Sequence, residues 1–276
     1  MFLIEPDSGT LVSRSKLIVV VAHERMAQMT ALTSENNLCG GWEDIYSDLC
    51  QISDENQLFL RFTESVQQFG FDYCSYGIRA PLPISNPSVR IFDSYPPGWM
   101  THYRENDFLT IDPTVRLGER SPDLIVWSDQ TFASAPRLWM DARDFGLSVG
   151  VAQASWAAHG MFGLLTLARS NEPLSTSEVS QLGKRVLVVT NLFHALMCRL
   201  LEPKLLPGVQ ISLTPREREV MRWTGEGKTA HSIGDILNIS ERTVNFHINN
   251  VLAKLNSTNK VQAVVKACLL GLIDPG

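Results

Sequence analysis

The chain has 276 residues, of which 44% are hydrophobic and 19% charged, with a formal net charge of −5. This length is sufficient for two hydrophobic cores, and the composition is typical of a soluble two-domain protein. Residues 213–276 hold 8 Lys and Arg against 6 Asp and Glu, whereas the rest of the chain holds 16 against 23. A mildly basic end on an acidic body suits nucleic acid at one end only, although neither balance alone identifies a DNA-binding protein.

The cysteines argue against a disulfide framework and against a zinc site. Their number is odd, and no two of them form a Cys-x-x-Cys pair. We therefore expect no metal and no cofactor, and we expect reduced, buried thiols. The five are Cys39, Cys50, Cys74, Cys198 and Cys268.

Residues 1–39 form an N-terminal extension without clear hydrophobic periodicity. Its apolar run at residues 17–22 is too short for a signal peptide or a membrane span, so we expect a cytoplasmic protein. The extension is either an accessory arm or a segment upstream of a start at Met26 or Met29, and the second interpretation is slightly favoured.

Residues 40–201 are predicted to form a first folded domain. Two amphipathic helices are expected near its start, one carrying Trp42, Ile45, Tyr46 and Leu49 and the other carrying Leu58, Phe62, Val66 and Phe69. Gly70 ends the second helix. Short aromatic and aliphatic runs then predict strands at residues 71–78, 89–95, 148–156 and 161–168.

The remaining segments of this domain predict its layers. A hairpin loop is expected at residues 158–160, and helical patterns cover residues 134–144 and 177–201. Helices outside a mainly antiparallel sheet form an α/β/α sandwich. The whole chain is therefore predicted to be α+β, with an all-α domain after the sandwich.

An unusual density of amphipathic aromatic and acidic residues lies between residues 95 and 127. Such side chains combine an apolar body with a polar tip or a lone acceptor, which is the mixture that a small amphiphilic ligand needs. They are Tyr95, Trp99, Tyr103, Asp112 and Trp127. The alternative is that each aromatic residue belongs to the core and that Asp112 caps a helix with proline at its first position.

The pattern Tyr95-Pro96-x-x-Trp99-x-x-x-Tyr103, followed by Asp112-Pro113 and Trp127, resembles the signal-binding domain of LuxR-type receptors for N-acyl-homoserine lactones. The resemblance implies that Trp99 donates to the lactone carbonyl and that Tyr95 donates to the amide carbonyl. It also implies that Asp112 accepts the amide N–H and that Trp127 packs on the lactone ring. An amide held away from water needs its donor and its acceptor satisfied.

Two hydroxyl residues complete the predicted ligand contacts. Thr166 lies where members of this family often carry a hydroxyl near the acyl amide, and Ser75 on the first strand is a weaker candidate. Met100 and residues 153–156 depart from the family pattern, so the identity of the ligand stays open. The full predicted set is Ser75, Tyr95, Trp99, Tyr103, Asp112, Trp127 and Thr166.

A linker is predicted at residues 202–212, because two prolines and a glycine within residues 202–208 interrupt the preceding helical pattern. Residues 213–276 then carry the marks of a helix-turn-helix. Thr214 and Glu217 form a capping box around a helix that starts at Pro215 and stops near Gly225 and Gly227. Thr229 caps a short second helix, and Ser240 caps the third.

The third helix divides into two faces. Its core stripe consists of Val244, Ile248, Val251, Leu252 and Leu255. The opposite face offers a cation, amides and an apolar wedge to a major groove, through Arg242, Asn245, Phe246, Asn249 and Asn250. Asn259 caps a fourth helix whose first turn, with Lys260, can accept a phosphate. The alternative is an ordinary solvated helix face.

Residues 213–217, 227–229, 240–247 and 254–255, together with Ile233, resemble the DNA-binding domain of LuxR-type regulators. Many members carry Arg or Lys where this chain has Asn245 and Asn249, which would lower the salt dependence of binding. The predicted DNA contacts are Thr229, Arg242, Thr243, Asn245, Phe246, Asn249, Asn250, Lys254, Asn259 and Lys260.

The resemblance implies a transcription regulator that binds an N-acyl-homoserine lactone and double-stranded DNA. We expect a homodimer on a near-palindromic operator that controls quorum-sensing genes. One alternative is an orphan regulator that answers to foreign lactones, to another small molecule or to no ligand. An enzyme acting on lactones has no support, since the sequence contains no His-Glu-x-x-His motif and its Gly-x-Ser-x-Gly at residues 146–150 runs into a predicted strand, so it forms no nucleophile elbow between a strand and a helix.

Overall fold

The computed structural model describes residues 42–67, 70–206 and 211–273. The chain divides into two compact units, residues 1–48 and residues 49–276. Of the first unit the structure describes only residues 42–48, which form most of helix α1 (Trp42–Cys50). The predicted N-terminal extension, residues 1–39, lies outside the described residues.

The second unit begins with a sandwich. Its helices are α2 (Glu55–Gln67), α3 (Trp99–Glu105), α4 (Pro113–Gly118), α5 (Pro136–Asp144) and α6 (Thr176–Leu205). Its strands are β1 (Tyr73–Arg79), β2 (Val89–Asp93), β3 (Ile125–Val126), β4 (Val149–Trp156) and β5 (Phe162–Arg169). The predicted strands and hairpin loop are confirmed, and α4 is the helix offered as the alternative for Asp112, whereas β3 and α3 were not predicted.

The five strands form one antiparallel sheet in the order β2-β1-β5-β4-β3. Helices α2 and α6 pack on one face of the sheet. Helix α4 packs on strands β3 and β4, and an aromatic core cluster joins α3 and α5 to the end of the sheet. The α/β/α sandwich predicted from the sequence is therefore confirmed.

Helix α6 corrects one expectation. It continues through Pro203 to Leu205, although a break was predicted at residue 202. A proline there removes one backbone hydrogen bond to the preceding turn, and burial of the flanking Leu201 and Leu206 offsets that loss. Within the described residues, α6 is also the one helix long and apolar enough to cross a membrane, but half of its apolar stretch is buried inside the protein.

The second half of this unit contains four helices: α7 (Pro215–Gly225), α8 (Ala230–Leu237), α9 (Glu241–Lys254) and α10 (Lys260–Leu269). The predicted caps are confirmed. Thr214 and Glu217 form the capping box of α7, while the hydroxyls of Thr229 and Ser240 each accept a backbone N–H at the start of α8 and α9. These caps satisfy donors that a helix start leaves unpaired, which explains why the boundaries were predictable.

The thiols agree only in part with the expectation of burial. Cys74 and Cys198 are buried and Cys50 is half-buried, but Cys268 on α10 is exposed. Cys39 lies outside the described residues. The apolar stripe of α10 passes through Ala263 and Ala267, which are fully buried, and Cys268 falls beside that stripe.

Candidate functional site

A cavity of about 510 Å³ lies between the sheet and helices α3, α4 and α5. All of the residues predicted to contact a ligand line it: Ser75, Tyr95, Trp99, Tyr103, Asp112, Trp127 and Thr166. Its volume is within the range of small-molecule pockets. The structure thus brings together, in one cavity, side chains that are up to 91 positions apart in the sequence.

The floor of the cavity is formed by the sheet, and side chains that face it alternate along each strand. Ser75 on β1 pairs with Thr166 on β5, which makes the first row polar. The next row contains Gly77 and Leu164 in register, and the last contains Arg79 beside Phe162. Polarity therefore changes along the floor from hydroxyl groups, through an apolar row, to a cation beside an aromatic ring.

Asp112 both caps helix α4 and lines the cavity, so the helix-cap interpretation is confirmed and leaves room for a ligand contact. Its Oδ1 accepts hydrogen bonds from the backbone N–H and the hydroxyl of Thr114, at 2.8 and 2.7 Å. Its Oδ2 accepts a hydrogen bond of 2.9 Å from the hydroxyl of Tyr103. Burial raises the pKa of the Asp112 carboxyl, and the hydrogen bonds from Thr114 and Tyr103 act in the opposite direction.

The aromatic residues form the walls at this polar end. Trp99 and Tyr103 are buried, with ring centroids 5.9 Å apart. Burial also raises the pKa of the Tyr95 hydroxyl, while a hydrogen bond involving Ser75 lowers it. A neutral phenol of this kind can donate a hydrogen bond to an acceptor inside the cavity.

The Trp127 ring packs directly against the backbone of Gly150 on strand β4. A Cβ atom at Gly150 would lie 2.7 Å from two carbon atoms of the Trp127 ring, so only a residue without a side chain fits there. The indole N–H of Trp127 is buried and has no hydrogen-bond partner within the described part of the chain. Buried polar groups without a partner are uncommon in folded proteins.

Several apolar lining residues were missed by the sequence analysis. Leu109, Val115, Phe132, Leu138 and Ala142 all line the cavity. Each lies in a short helix or turn, where a single apolar residue gives the same signal whether it faces a cavity or a packed core. Their positions depend on tertiary packing, and no sequence signal distinguishes them.

The second candidate site is the exposed face of helix α9. Val244, Ile248 and Val251 are buried in the domain core, which confirms the predicted stripe. Arg242 and Asn249 are exposed on the opposite side, and the Phe246 side chain is 60% exposed although it is large and apolar. Phe246 is therefore available to a binding partner.

The other predicted DNA contacts lie around this face. Asn245, Asn250 and Thr243 on α9 are half-exposed, and Thr229 is exposed at the cap of α8. The Thr243 hydroxyl is 2.8 Å from that of Ser240, the cap of α9. The hydroxyls of Thr229 and Thr243 therefore take part in capping the helix starts, although both residues are accessible to solvent.

Two further predicted contacts flank the start of helix α10. Asn259 caps this helix, because its Oδ1 accepts the backbone N–H of Gln262 at 2.9 Å. Lys260 follows and is exposed. A cation beside the free N–H groups of a helix start suits a phosphate.

Lys254 has a partner that the sequence analysis did not foresee. Its Nζ lies 2.6 Å from the carboxylate of Glu217, whose side chain is only 4% exposed. Burial alone would raise the pKa of Glu217, but the hydrogen bonds from Lys254 and from the backbone of Thr214 outweigh it and lower that pKa. Lys254 therefore ties α9 to the capping box of α7.

No group of three or more His, Cys, Asp or Glu residues that could hold a metal ion occurs among residues 42–67, 70–206 and 211–273.

Comparison with known families gives two matches. Residues 54–197 match the autoinducer-binding domain, and residues 211–267 match the bacterial regulatory proteins of the luxR family. The first match contains the cavity and the second contains the exposed face of α9.

The chain is 60% identical over 233 residues to the transcriptional activator protein SolR of Ralstonia nicotianae, covering 84% of this chain and 99% of that protein. It is 34% identical over 232 residues to the HTH-type quorum-sensing regulator RhlR of Pseudomonas aeruginosa, covering 84% and 96%. A solved structure of SdiA in complex with octanoyl-rac-glycerol matches with a TM-score of 0.70 at 30% identity, covering 83% of this chain and 94% of that chain. These relatives are regulators of transcription and not enzymes. The chain thus belongs to the LuxR family of quorum-sensing transcription regulators, with an autoinducer-binding domain for a small molecule and a helix-turn-helix domain for DNA.

Proposed function

We propose that the small molecule is an N-acyl-homoserine lactone and that its binding controls a homodimer on DNA. The observation that carries the proposal is the polarity of the cavity. A buried carboxylate, two hydroxyl residues and two tryptophans lie at one end, and apolar side chains line the middle. An acylated amide with a polar ring matches this distribution of acceptors, donors and apolar surface.

The hydrogen-bond donors and acceptors at the polar end of the cavity suit the amide and the lactone ring. The Oδ2 of Asp112 accepts one hydrogen bond from Tyr103, which leaves a lone pair for the amide N–H of a ligand. Tyr95 and Trp99 would donate to the two carbonyl groups, and Trp127 would cover the ring. Thr166 and Ser75, side by side on the floor, would contact the acyl amide.

Binding at this cavity would stabilise the folded receptor by mass action, because the ligand binds the folded protein and not the unfolded chain. In the dimer, two α9 helices related by a two-fold axis would enter successive major grooves of a near-palindromic operator. Both partners, a diffusible lactone and genomic DNA, are reachable by a cytoplasmic protein, which is the localisation we propose.

A titration tests this proposal directly. Purified full-length protein would be titrated with octanoyl-homoserine lactone, with operator DNA obtained by selection in vitro, and with both. We expect lactone binding with one site per chain and a higher affinity of the dimer for DNA when lactone is present. Unchanged DNA affinity would reject control by the lactone and leave an orphan regulator, whereas absence of lactone binding would reject the ligand assignment itself.

One comparison favours a second candidate ligand. The matching SdiA structure holds octanoyl-rac-glycerol, an acyl chain on a polar head without an amide. An acylglycerol has no amide N–H, but its free hydroxyls can donate to the Asp112 carboxylate and can equally accept from an amide N–H₂. Titrating octanoyl glycerol in parallel separates the candidates, because replacing Asp112 by Asn should weaken lactone binding more than acylglycerol binding.

A further inference from the structure

An ion pair lies at the end of the cavity opposite the polar row formed by Ser75 and Thr166. Arg79, the last residue of β1, contacts Glu119, the residue that follows α4, through its guanidinium group. Both residues line the cavity. Their side chains remain 31% and 33% exposed, so the pair borders solvent as well as the cavity. It therefore lies at a mouth of the cavity and not in its interior.

A third residue braces the pair. The Arg79 guanidinium carbon lies 5.1 Å from the centroid of the Phe162 ring, within the range of a cation–π contact. Phe162 is directly opposite Arg79 in the register of β1 and β5, and it also lines the cavity. The Arg79 side chain is thus held from two directions, by a carboxylate across the mouth and by an aromatic ring on the floor.

The distance from the polar row to this ion pair follows from the number of residues between them on strand β1. Ser75, Gly77 and Arg79 occupy alternate positions of β1 on the cavity side, so Arg79 is about 13 Å from Ser75 at roughly 3.3 Å per residue. Gly77 leaves the middle of this path open, since a Cβ there would meet no atom within 4 Å. An extended chain that starts at the polar row would run over Gly77 and Leu164 and would then meet Arg79.

We propose that Arg79 and Glu119 form a gate that sets the upper limit of acyl-chain length. This inference rests on the proposed function, because it assigns the apolar part of the cavity to an acyl chain. A chain that ends before the gate is covered by apolar side chains. A longer chain must either lie against two charged groups, which then lose solvent, or separate them, and both are unfavourable.

The test measures a preference and not a single affinity. Full-length wild-type protein and the variants Arg79→Ala, Glu119→Ala and Glu119→Gln would be titrated with hexanoyl, octanoyl, decanoyl and dodecanoyl lactones. We expect the ratio of dodecanoyl to octanoyl affinity to rise at least several-fold in each variant. The double variant Arg79→Glu with Glu119→Arg should restore part of the wild-type ratio, because the pair can re-form with its charges exchanged.

The controls separate a gate from a general loss of stability. The matched control is Arg61→Ala, which removes an exposed ion pair with Glu64 on α2 and should leave the ratio unchanged. Thermal unfolding identifies variants that do not fold, and Glu119→Gln keeps the size of the side chain if Glu119→Ala is unstable. Lactones that bind with an unchanged ratio in every folded variant would overturn the gate while leaving the proposed function intact. Should wild-type protein bind no lactone but bind acylglycerols, the same series of acylglycerols decides on the gate independently.

Discussion

Tyr103 and Asp112 are joined across the cavity wall by a hydrogen bond of 2.9 Å, in which the phenol donates to Oδ2 of the carboxylate. The other carboxylate oxygen is engaged by Thr114 at the start of helix α4. One side chain therefore sets the position of a helix, holds an aromatic wall and presents the acceptor that we propose for the ligand amide. This division of its oxygens makes the structural and the binding roles experimentally separable.

The variant Asp112→Asn tests the binding role. Asn caps helices about as well as Asp, so the free energy of unfolding should change little. Its amide N–H₂ would face the ligand amide with a donor instead of an acceptor, and lactone affinity should fall roughly 10- to 100-fold because a buried donor stays unpaired. Isothermal titration calorimetry measures the affinity. Asp112→Ala serves as the comparison that loses the cap as well, and wild-type affinity in Asp112→Asn would contradict the assignment.

Gly150 is expected to be a positioning residue for Trp127. In Gly150→Ala the new Cβ would lie 2.7 Å from the Trp127 ring and 2.9 Å from the backbone oxygen of Leu167, so the ring must move toward the cavity. We expect weaker lactone binding and a loss of about 1–3 kcal/mol in unfolding free energy from overpacking. Ligand titration and urea unfolding measure the two effects.

The matched control for Gly150 is Gly183→Ala in helix α6, where a Cβ would meet no atom within 4 Å. That substitution should stabilise the protein by about 0.5–1 kcal/mol, as Ala does relative to Gly within helices, and should leave lactone affinity unchanged. Equal behaviour of the two glycine variants would show that the contact with Trp127 has no role.

A buried histidine predicts a pH dependence of stability. His194 on α6 accepts a hydrogen bond of 2.6 Å at Nδ1 from Tyr76, and its Nε2 lies 3.2 Å from the Met161 carbonyl oxygen. Because a carbonyl only accepts, Nε2 carries a proton, and since the lowered pKa leaves the ring neutral near pH 7, Nδ1 is the nitrogen that accepts from Tyr76. Burial lowers the pKa of His194 from 6.5 to about 4, while the Met161 hydrogen bond acts in the opposite direction.

The sign of the effect follows from proton binding. Below pH 6.5 the unfolded chain binds a proton at residue 194 that the folded protein does not bind until about pH 4, so stability falls as the pH falls through this window. Between pH 7 and pH 5 this residue should account for a loss of about 2 kcal/mol. Urea unfolding of wild type and His194→Gln at both values isolates the contribution, since all other groups are common to both proteins. Identical losses in the two proteins would contradict a neutral His194.

The ion pair between Lys254 and Glu217 is expected to stabilise the helix-turn-helix domain. In Lys254→Met the buried Glu217 carboxylate loses its cation, and unfolding free energy should fall by about 2 kcal/mol. The control is Glu219→Gln, which removes an exposed pair with Arg216 on the same helix and should change stability by less than about 1 kcal/mol. A stability loss in the control as large as in Lys254→Met would show that burial of the pair is irrelevant.

Salt dependence distinguishes phosphate contacts from base contacts on helix α9. Removing one phosphate contact reduces the slope of log affinity against log salt by about 1, so Arg242→Gln should show this reduction. Asn249→Ala should weaken binding to the preferred sequence with an unchanged slope, because an amide reads bases without releasing counterions. Anisotropy titrations at several salt concentrations provide both quantities. The slope of Lys254→Met shows in addition whether that cation reaches a phosphate, and an unchanged slope in Arg242→Gln would exclude a phosphate contact there.

The sequence by itself determined the features that depend on near neighbours along the chain. Hydroxyl caps such as Thr214 and Ser240, and the apolar stripe of α9, were predicted correctly because helix starts and helical periodicity involve residues three or four positions apart. The strand pattern around the hairpin was predictable for the same reason. Helix α6 shows the limit of local signals, since packing of its apolar face carries the helix past Pro203.

Only the tertiary structure decided which distant residues meet. Lys254 and Glu217 are 37 positions apart, and Arg79 and Glu119 are 40 apart, so neither pair leaves a periodic trace in the sequence. The same holds for the contact of Gly150 with Trp127, which depends on the register in which β3 pairs with β4. Partner choice follows from the register of strands and the packing of helices, and these are properties of the whole core, whereas caps and stripes are properties of single segments.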